Sequence, residues 1–127
     1  MLPSFLIPDS VVREEGSGPI VELGEAAGSV VILTLGIRRI IEQESLDVSI
    51  WGSADGTDWG AKPVATFSQK FYCGTYQLLV DLAARPEVRH LRAQWKLARW
   101  GRGELKPLFG VYLAARAAEA KPLATTA

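Results

Sequence analysis

Few residues in this 127-residue chain have the chemistry that an enzyme needs. His90 is the only histidine and Cys73 the only cysteine, so a metal site built from several histidines or thiolates is excluded. A catalytic triad would have to use His90, which lies in a regular alternating segment where a solvated strand residue is the simpler interpretation. Cys73 is most simply a small turn or buried residue. We therefore expect no enzymatic activity.

Two nearby carboxylates offer the one alternative that involves a metal. Asp55 and Asp58 are close enough in sequence to share a calcium ion with carbonyl oxygens of the same loop. Asp55 also precedes Gly56, and an Asp-Gly pair favours a tight turn because glycine adopts positive φ values at little steric cost. Turn formation explains Asp55 as well as calcium does. No cofactor is expected, with calcium at Asp55 and Asp58 kept as the alternative.

Tryptophans and cations are the remaining candidates for ligand contacts. Trp51 falls on the outward register of its strand, and Trp100 falls outward if the strand that contains Leu91 continues that far. Exposed tryptophans stack on sugars and anchor protein interfaces. The alternative is that they cover an open edge or end of the domain within the monomer. The residues predicted to bind a ligand or form an interface are Trp51, Trp59, Lys96, Arg99, Trp100 and Arg102.

A single loop is predicted to bring most of these cations together. The run from Lys96 to Gly103 combines cationic side chains with Trp100 and flexible glycines. Such a loop could grip an acidic sugar, a phosphate or a carboxylate on a partner. The alternative is local pairing with acidic residues such as Glu104.

The strand before Asp55 and the strand around Trp95 must position these side chains. In residues 46–53, apolar Leu46, Val48 and Ile50 alternate with outward positions such as Trp51, the pattern of a strand with one buried face. Residues 91–98 alternate in the same way. The inward positions of that second strand are Leu91, Ala93, Trp95 and Leu97, and the outward ones are Arg92, Gln94, Lys96 and Ala98.

The rest of the chain is predicted to supply further strands. Residues 29–37 are apolar on both faces, which indicates a central strand covered on both sides. Residues 70–73 and 76–82 suggest a hairpin about Gly74 and Thr75. Residues 108–113 are predicted to form the last strand. Residues 1–19 are predicted to be an N-terminal arm, either an edge strand or arm of its own domain or exchanged with a neighbouring subunit. The alanine-rich tail, residues 116–127, is expected to form a short helix or stay loose.

Short strands at regular spacing, separated by turn signals, predict an all-β fold. We expect an antiparallel, jelly-roll-like β-sandwich of roughly eight strands over residues 20–115.

Two segments resemble a known family. The strand and turn that end in Ser53, Asp55, Gly56 and Trp59 resemble the Ser-x-Asp-Gly-x-x-Trp segment of the discoidin, or coagulation-factor type C, group of galactose-binding-like β-sandwiches. Residues 88–92 resemble a strand of that group in which an apolar residue and leucine precede an arginine. Residues 109–113 resemble its closing strand. Residues 21–24, which end in Leu-Gly, and the apolar strand at residues 30–35 follow one another in the same order as the first segments of that group. The resemblance covers residues 21–113 and implies a galactose-binding-like fold that binds or adheres without catalysis.

Composition and charge limit the partners. Fourteen basic and fourteen acidic residues cancel, so there is no electrostatic case for nucleic-acid binding. No apolar run approaches the roughly 20 residues that span a bilayer, and the first twelve residues lack a signal-peptide pattern. We expect a cytoplasmic protein or part of a released particle, with no membrane insertion. The leading hypothesis is a structural or protein-interaction subunit of a homo-oligomeric, phage-like assembly, and the alternative is a carbohydrate-binding module.

Overall fold

The structure, a computed structural model, describes residues 2–100 and 106–118. This part of the chain holds nine β-strands and one short 3-10 helix, Gly24–Ala26. The strands are β1 (Ser4–Val12), β2 (Gly16–Ser17), β3 (Val21–Glu22), β4 (Val30–Ile40), β5 (Glu44–Ser53), β6 (Ala65–Thr66), β7 (Gly74–Asp81), β8 (His90–Arg99) and β9 (Phe109–Ala117). The predicted all-β class is confirmed.

The strands form two antiparallel sheets that pack face to face. Sheet A has the strand order β1-β9-β4-β7, and sheet B has the order β2-β8-β5-β6, with β3 also pairing with β8. All the pairings are antiparallel, so the predicted antiparallel β-sandwich is confirmed, with nine strands instead of eight.

The core lies between the sheets and is built by alternate residues of the long strands. Leu46, Val48 and Ile50 of β5 are buried, as their alternation predicted. They face the inner side chains of β4 and β9, among which Leu33, Leu35, Phe109 and Leu113 are fully buried. Each of these side chains contributes about 1.5 to 3 kcal/mol by leaving water.

The hairpin predicted about Gly74 and Thr75 is wrong. β7 begins at Gly74 and pairs with β4 over its whole length, from Gly74 opposite Ile37 to Asp81 opposite Val30. The segment expected to form the other arm makes only an isolated bridge, between Lys70 and Leu46. Pairing with β4 involves eight residues of β7, whereas residues 70–73 could offer only four. The longer pairing is favoured because it buries Val80 and partly buries Tyr76 and Leu78.

The expectation that β4 is covered on both faces is also wrong. β4 is central within sheet A, with β9 on one side and β7 on the other, but sheet A is an outer layer of the sandwich. Its inner positions, such as Leu33, are buried, whereas Ile32 and Thr34 on the other face are only half-buried. The second apolar row therefore lies on an outer face.

Both ends of the chain contribute more strand than expected. Residues 1–19, predicted as an arm, hold β1 and β2, which pair with β9 and β8 of the same domain. The start of the alanine-rich segment is strand instead of helix, because β9 continues to Ala117 beside β4. The remainder of the predicted tail, residues 119–127, lies outside the described residues. In the described part of the chain, no helix has the length and apolar character needed to cross a membrane.

Candidate functional site

The segment after β5 folds into a turn built around Ser53 and Asp55. The Ser53 hydroxyl is buried at the end of β5; it donates to Asp55 Oδ1 at 3.0 Å and accepts the Gly56 N–H at 2.8 Å. Asp55 Oδ1 also accepts the N–H groups of Thr57 and Asp58, each at 2.9 Å. Gly56 has φ 83°, which is the backbone conformation that the Asp-Gly pair predicted.

The hydrogen bonds to Asp55 change its acidity. The backbone N–H groups of Asp58 and Thr57, with the Thr57 and Ser53 side chains, lower the pKa of Asp55 well below its usual range. The carboxylate is thus held in its ionised form as the acceptor of the turn.

The turn accounts for the two carboxylates that were predicted to bind calcium. Asp58 Oδ1 accepts the Gly60 N–H at 3.0 Å, so both aspartates use an oxygen within their own loop. Across residues 2–100 and 106–118, no three or more His, Cys, Asp or Glu side chains cluster as a metal site would require. Calcium at Asp55 and Asp58 stays a prediction that would need ligands from loop carbonyls.

The outer face of sheet B brings Trp51 and Trp59 together. Trp51 lies opposite Arg92 in the pairing of β5 with β8, and the Arg92 guanidinium lies 5.6 Å from the centroid of the Trp59 ring. Trp51 donates its indole N–H to Ser49 Oγ at 2.9 Å. Both tryptophans are half-buried, which leaves one part of each ring open to solvent. We call Trp51, Trp59 and Arg92 the tryptophan face.

His90 and Lys96 lie on the same outer face of sheet B. His90 is opposite Ser53, and its Nε2 lies 3.8 Å from Glu22 Oε1. Lys96 is exposed and four residues further along β8 than Arg92, which corresponds to about 13 Å along a strand. Lys96 and Arg99 both belong to β8, and not to the loop in which they were predicted. They are three residues apart, so their side chains lie on opposite faces of the strand.

Trp100 belongs to a second cluster at the far end of the sandwich. Its ring lies 6.0 Å from that of Phe71 in an edge-to-face arrangement, and Phe71 lies 6.3 Å from Tyr72. These rings border a groove of about 400 Å³ whose other walls come from Ile40, Glu42, Gln43 and Glu44. We call this site the aromatic groove.

The three aromatic side chains of the groove are more exposed to solvent than such side chains usually are. Tyr72 is 73% exposed, Trp100 59% and Phe71 39%. Large aromatic side chains usually bury most of their surface, so three in contact at one surface form a candidate binding site.

The backbone around Glu44 holds this groove in place. Glu44 is 1% exposed and begins β5. Its carboxylate accepts the N–H of Ile41 at 2.9 Å and the N–H of Leu108 at 2.8 Å. The backbone N–H of Trp100 donates to the backbone carbonyl of Gln43 at 3.0 Å. This bond holds the Trp100 backbone beside the turn that precedes β5.

The predicted interface residues thus divide into two groups. Trp100 is eight residues beyond Arg92, so about 26 Å of β8 separates the aromatic groove from the tryptophan face. Arg99 lies opposite Glu44 in the strand pairing. Arg102, with the rest of residues 101–105, lies outside the described residues. Cys73 is exposed beside the aromatic groove.

Sequence reasoning missed Phe71, Tyr72 and Arg92 as site residues. Phe71 and Tyr72 were assigned to a hairpin arm, where one ring would face inward. Two adjacent aromatics immediately before Cys73-Gly74 were the available signal, because neighbouring strand residues point to opposite faces and one of them would have to be exposed.

Comparison with known proteins assigns no family. No protein-family model matches the chain. A search of curated proteins likewise gives no significant match.

Proposed function

We propose that this chain is a non-enzymatic binding and assembly module that works as a subunit of a homo-oligomer. The observation that carries the proposal is the aromatic groove, where Tyr72 and Trp100 expose more than half of their surface while in contact with Phe71 as a cluster. Tryptophan and tyrosine dominate the binding energy of protein interfaces because they bury large areas at low cost in conformational entropy.

The charge of the chain supports self-association as the form of binding. The formal charge is zero, so copies of the chain do not repel one another through a net charge. The walls of the groove combine aromatic rings with the acidic side chain of Glu42 and the amide of Gln43. An apolar centre with a polar rim is the usual composition of a protein interface.

Light scattering coupled to size-exclusion chromatography tests the proposal. We expect the mass to rise from that of the 13.8 kDa chain to a defined multiple between about 1 μM and about 1 mM. Trp100→Ala should raise the dissociation constant about tenfold or more, since truncating an interface hot spot costs about 2 kcal/mol. A monomeric mass at the highest concentration would overturn the proposal.

Trp51→Ala is the matched control for Trp100→Ala. It removes an indole of the same size from the tryptophan face, about 26 Å from the aromatic groove along β8. We expect it to leave the dissociation constant of the oligomer unchanged.

The second candidate function is carbohydrate binding, and the tryptophan face favours it. The tryptophan face also carries the polar side chains of Gln94 and Asp47. Such a face could stack its aromatic rings on a sugar and hydrogen-bond to the hydroxyl groups around it. This candidate predicts quenching of tryptophan fluorescence by one class of sugar, lost in Trp51→Ala and kept in Trp100→Ala. A flat response across a glycan array would remove it.

The family resemblance enters here as a proposal as well. We infer a galactose-binding-like β-sandwich of the discoidin type from the Ser53, Asp55, Gly56 and Trp59 pattern. Its support is that this pattern follows the long strand β5 directly and forms a hydrogen-bonded turn at the end of sheet B. An experimental structure that superimposes β4 to β9 on a discoidin domain with the same strand order would bear it out, and a different order would refute it.

A further inference from the structure

We propose that the open edge of β7 pairs with β7 of a second copy of this chain, antiparallel and about a two-fold axis. The two A sheets would then join into one continuous sheet. This proposal rests on the proposed function, because it names the contact through which the subunits associate. It uses backbone groups that the aromatic groove does not supply.

β7 is an edge strand with an unusually regular geometry. Among residues 2–100 and 106–118, it ends sheet A and pairs only with β4. Its eight residues, Gly74–Asp81, follow β4 with no shift of register. The far side of β7 consequently presents a straight row of backbone donors and acceptors, which is a template for pairing with another strand.

The other edges of the described sandwich are protected against such pairing. β1, at the opposite end of sheet A, contains Pro8 and two irregularities of register against β9. The edges of sheet B are formed by β2, β3 and β6, each of two residues, and by the end of β8 beyond Trp95, a four-residue stretch that contains Lys96. Short strands, prolines and irregularities are the usual protections of an edge, and lysine is another. β7 has none of these features, since its sequence is GTYQLLVD.

The hydrogen bonds next to β7 identify which of its backbone groups are open. The Leu82 N–H donates to the Ser29 carbonyl at 3.0 Å, on the side of β4. Backbone groups alternate between the two edges of a strand, so even-numbered residues of β7 bond to β4. The N–H and carbonyl groups of Thr75, Gln77, Leu79 and Asp81 therefore point to the open edge.

These four residues define one register for two copies. Residues opposite each other in antiparallel strands share a face of the sheet. Pairing Gln77 with Leu79 and Thr75 with Asp81 of the second copy satisfies that condition and uses all four open residues. Leu78 then lies opposite Leu78 on the two-fold axis, as a pair without hydrogen bonds between them.

The side chains fit a second copy of the same strand. Asp81 is the only charged residue of β7, and the two-fold axis places the two copies of it at opposite ends of the contact. Leu79, 66% exposed, would lie beside the aliphatic part of Gln77. Tyr72, which is 73% exposed, lies two residues before β7, so the open edge ends beside the aromatic groove.

Proline at Gln77 tests the edge directly. Gln77→Pro removes an N–H that faces the open edge and leaves the hydrogen bonds to β4 intact, so the subunit should stay folded. It removes one intersubunit hydrogen bond on each side of the axis, and we expect the dissociation constant measured by light scattering to rise about tenfold or more. Gln77→Ala keeps the N–H and is the matched control, with no more than a twofold change expected.

Two further tests do not depend on the folding of Gln77→Pro. Leu79→Lys adds a charge at the edge and should weaken association, whereas Thr34→Lys adds it to the same outer face on the central strand β4 and should not. In a Cys73→Ser background, Leu78→Cys should form an intersubunit disulfide on oxidation, because facing residues of a pair without hydrogen bonds lie about 4.5 Å apart at Cα.

The outcomes separate this proposal from the proposed function. Association of the wild type that neither Gln77→Pro nor Leu79→Lys weakens would overturn pairing through β7 and leave the assembly role standing. A wild type that stays monomeric would overturn the assembly role, and the pairing with it. Weaker association of Thr34→Lys than of Leu79→Lys would move the contact from the edge to the outer face of sheet A.

Discussion

Glu44 accepts a hydrogen bond from the N–H of Leu108 at 2.8 Å, although 64 residues separate them in the chain. The other carboxylate oxygen accepts the N–H of Ile41 at 2.9 Å. Glu44 begins β5 in sheet B, and Leu108 immediately precedes β9 in sheet A. One buried carboxylate thus ties the two sheets together next to the aromatic groove.

Glu44→Gln should destabilise the fold by about 1 to 3 kcal/mol. A glutamine side chain has one oxygen, so its amide nitrogen would face one of the two N–H donors and leave that donor unsatisfied in a buried site. Urea unfolding of the variant measures the loss. Asp47→Asn is the control on the same strand: its carboxylate is half-buried and bonds to the Gln69 side chain, and we expect about 0.5 kcal/mol or less. Equal losses in the two variants would contradict the special role of Glu44.

The Asp55 turn should make stability depend on pH. The backbone hydrogen bonds of Asp58 and Thr57 lower the pKa of Asp55 in the folded state. The unfolded state therefore binds more protons as the pH falls below about 4, and the stabilisation present above that pH is lost on further acidification. We expect Asp55→Asn to lower the melting temperature at pH 7 and to approach the wild type as the pH falls towards 2.

Asp58→Asn is the control for the loss of a carboxylate in the same loop. It leaves the backbone N–H that donates to Asp55 Oδ1 in place and changes only the side chain that accepts the Gly60 N–H. A gap between Asp55→Asn and the wild type that is constant from pH 7 to pH 2 would refute the assignment.

A glycine on β4 makes room for an aromatic ring on β9. Gly36 lies opposite Tyr112, and a Cβ added at Gly36 would overlap that ring. Gly36→Ala should therefore cost about 1 to 3 kcal/mol, because the ring must move. In a Tyr112→Ala background the same change should cost much less, which a double-mutant cycle from denaturant unfolding measures. Additive costs would show that the ring does not limit this position.

Much of the fold could be predicted from local patterns. The alternation in β5 and β8 assigned Leu46, Val48, Ile50 and Leu91 to the core, where the structure places them. The Asp55-Gly56 pair predicted a turn, and Gly56 has the positive φ that such a turn requires. These predictions succeed because side-chain alternation and turn conformation depend on neighbouring residues.

The candidate site was harder to predict. Trp51 and Trp100 were identified by their outward register in the strand pattern, and Trp59 was named with them. The pattern did not show that Trp100 lies at the opposite end of β8 from the other two. Phe71 and Tyr72 were assigned to a hairpin that does not form. Both errors have one cause: the position of a side chain on the surface depends on which strands pair, and pairing partners can be far apart in sequence.

The sequence by itself therefore determined the all-β class, the buried faces of β5 and β8 and the turn at Asp55, since each depends on interactions within a few residues. Only the tertiary structure decided that β7 pairs with β4, that Glu44 joins Leu108, and that Phe71 meets Trp100. The physical reason is that these contacts close long loops, and their partners are selected by the burial and hydrogen bonding of the whole sandwich, which no local pattern encodes.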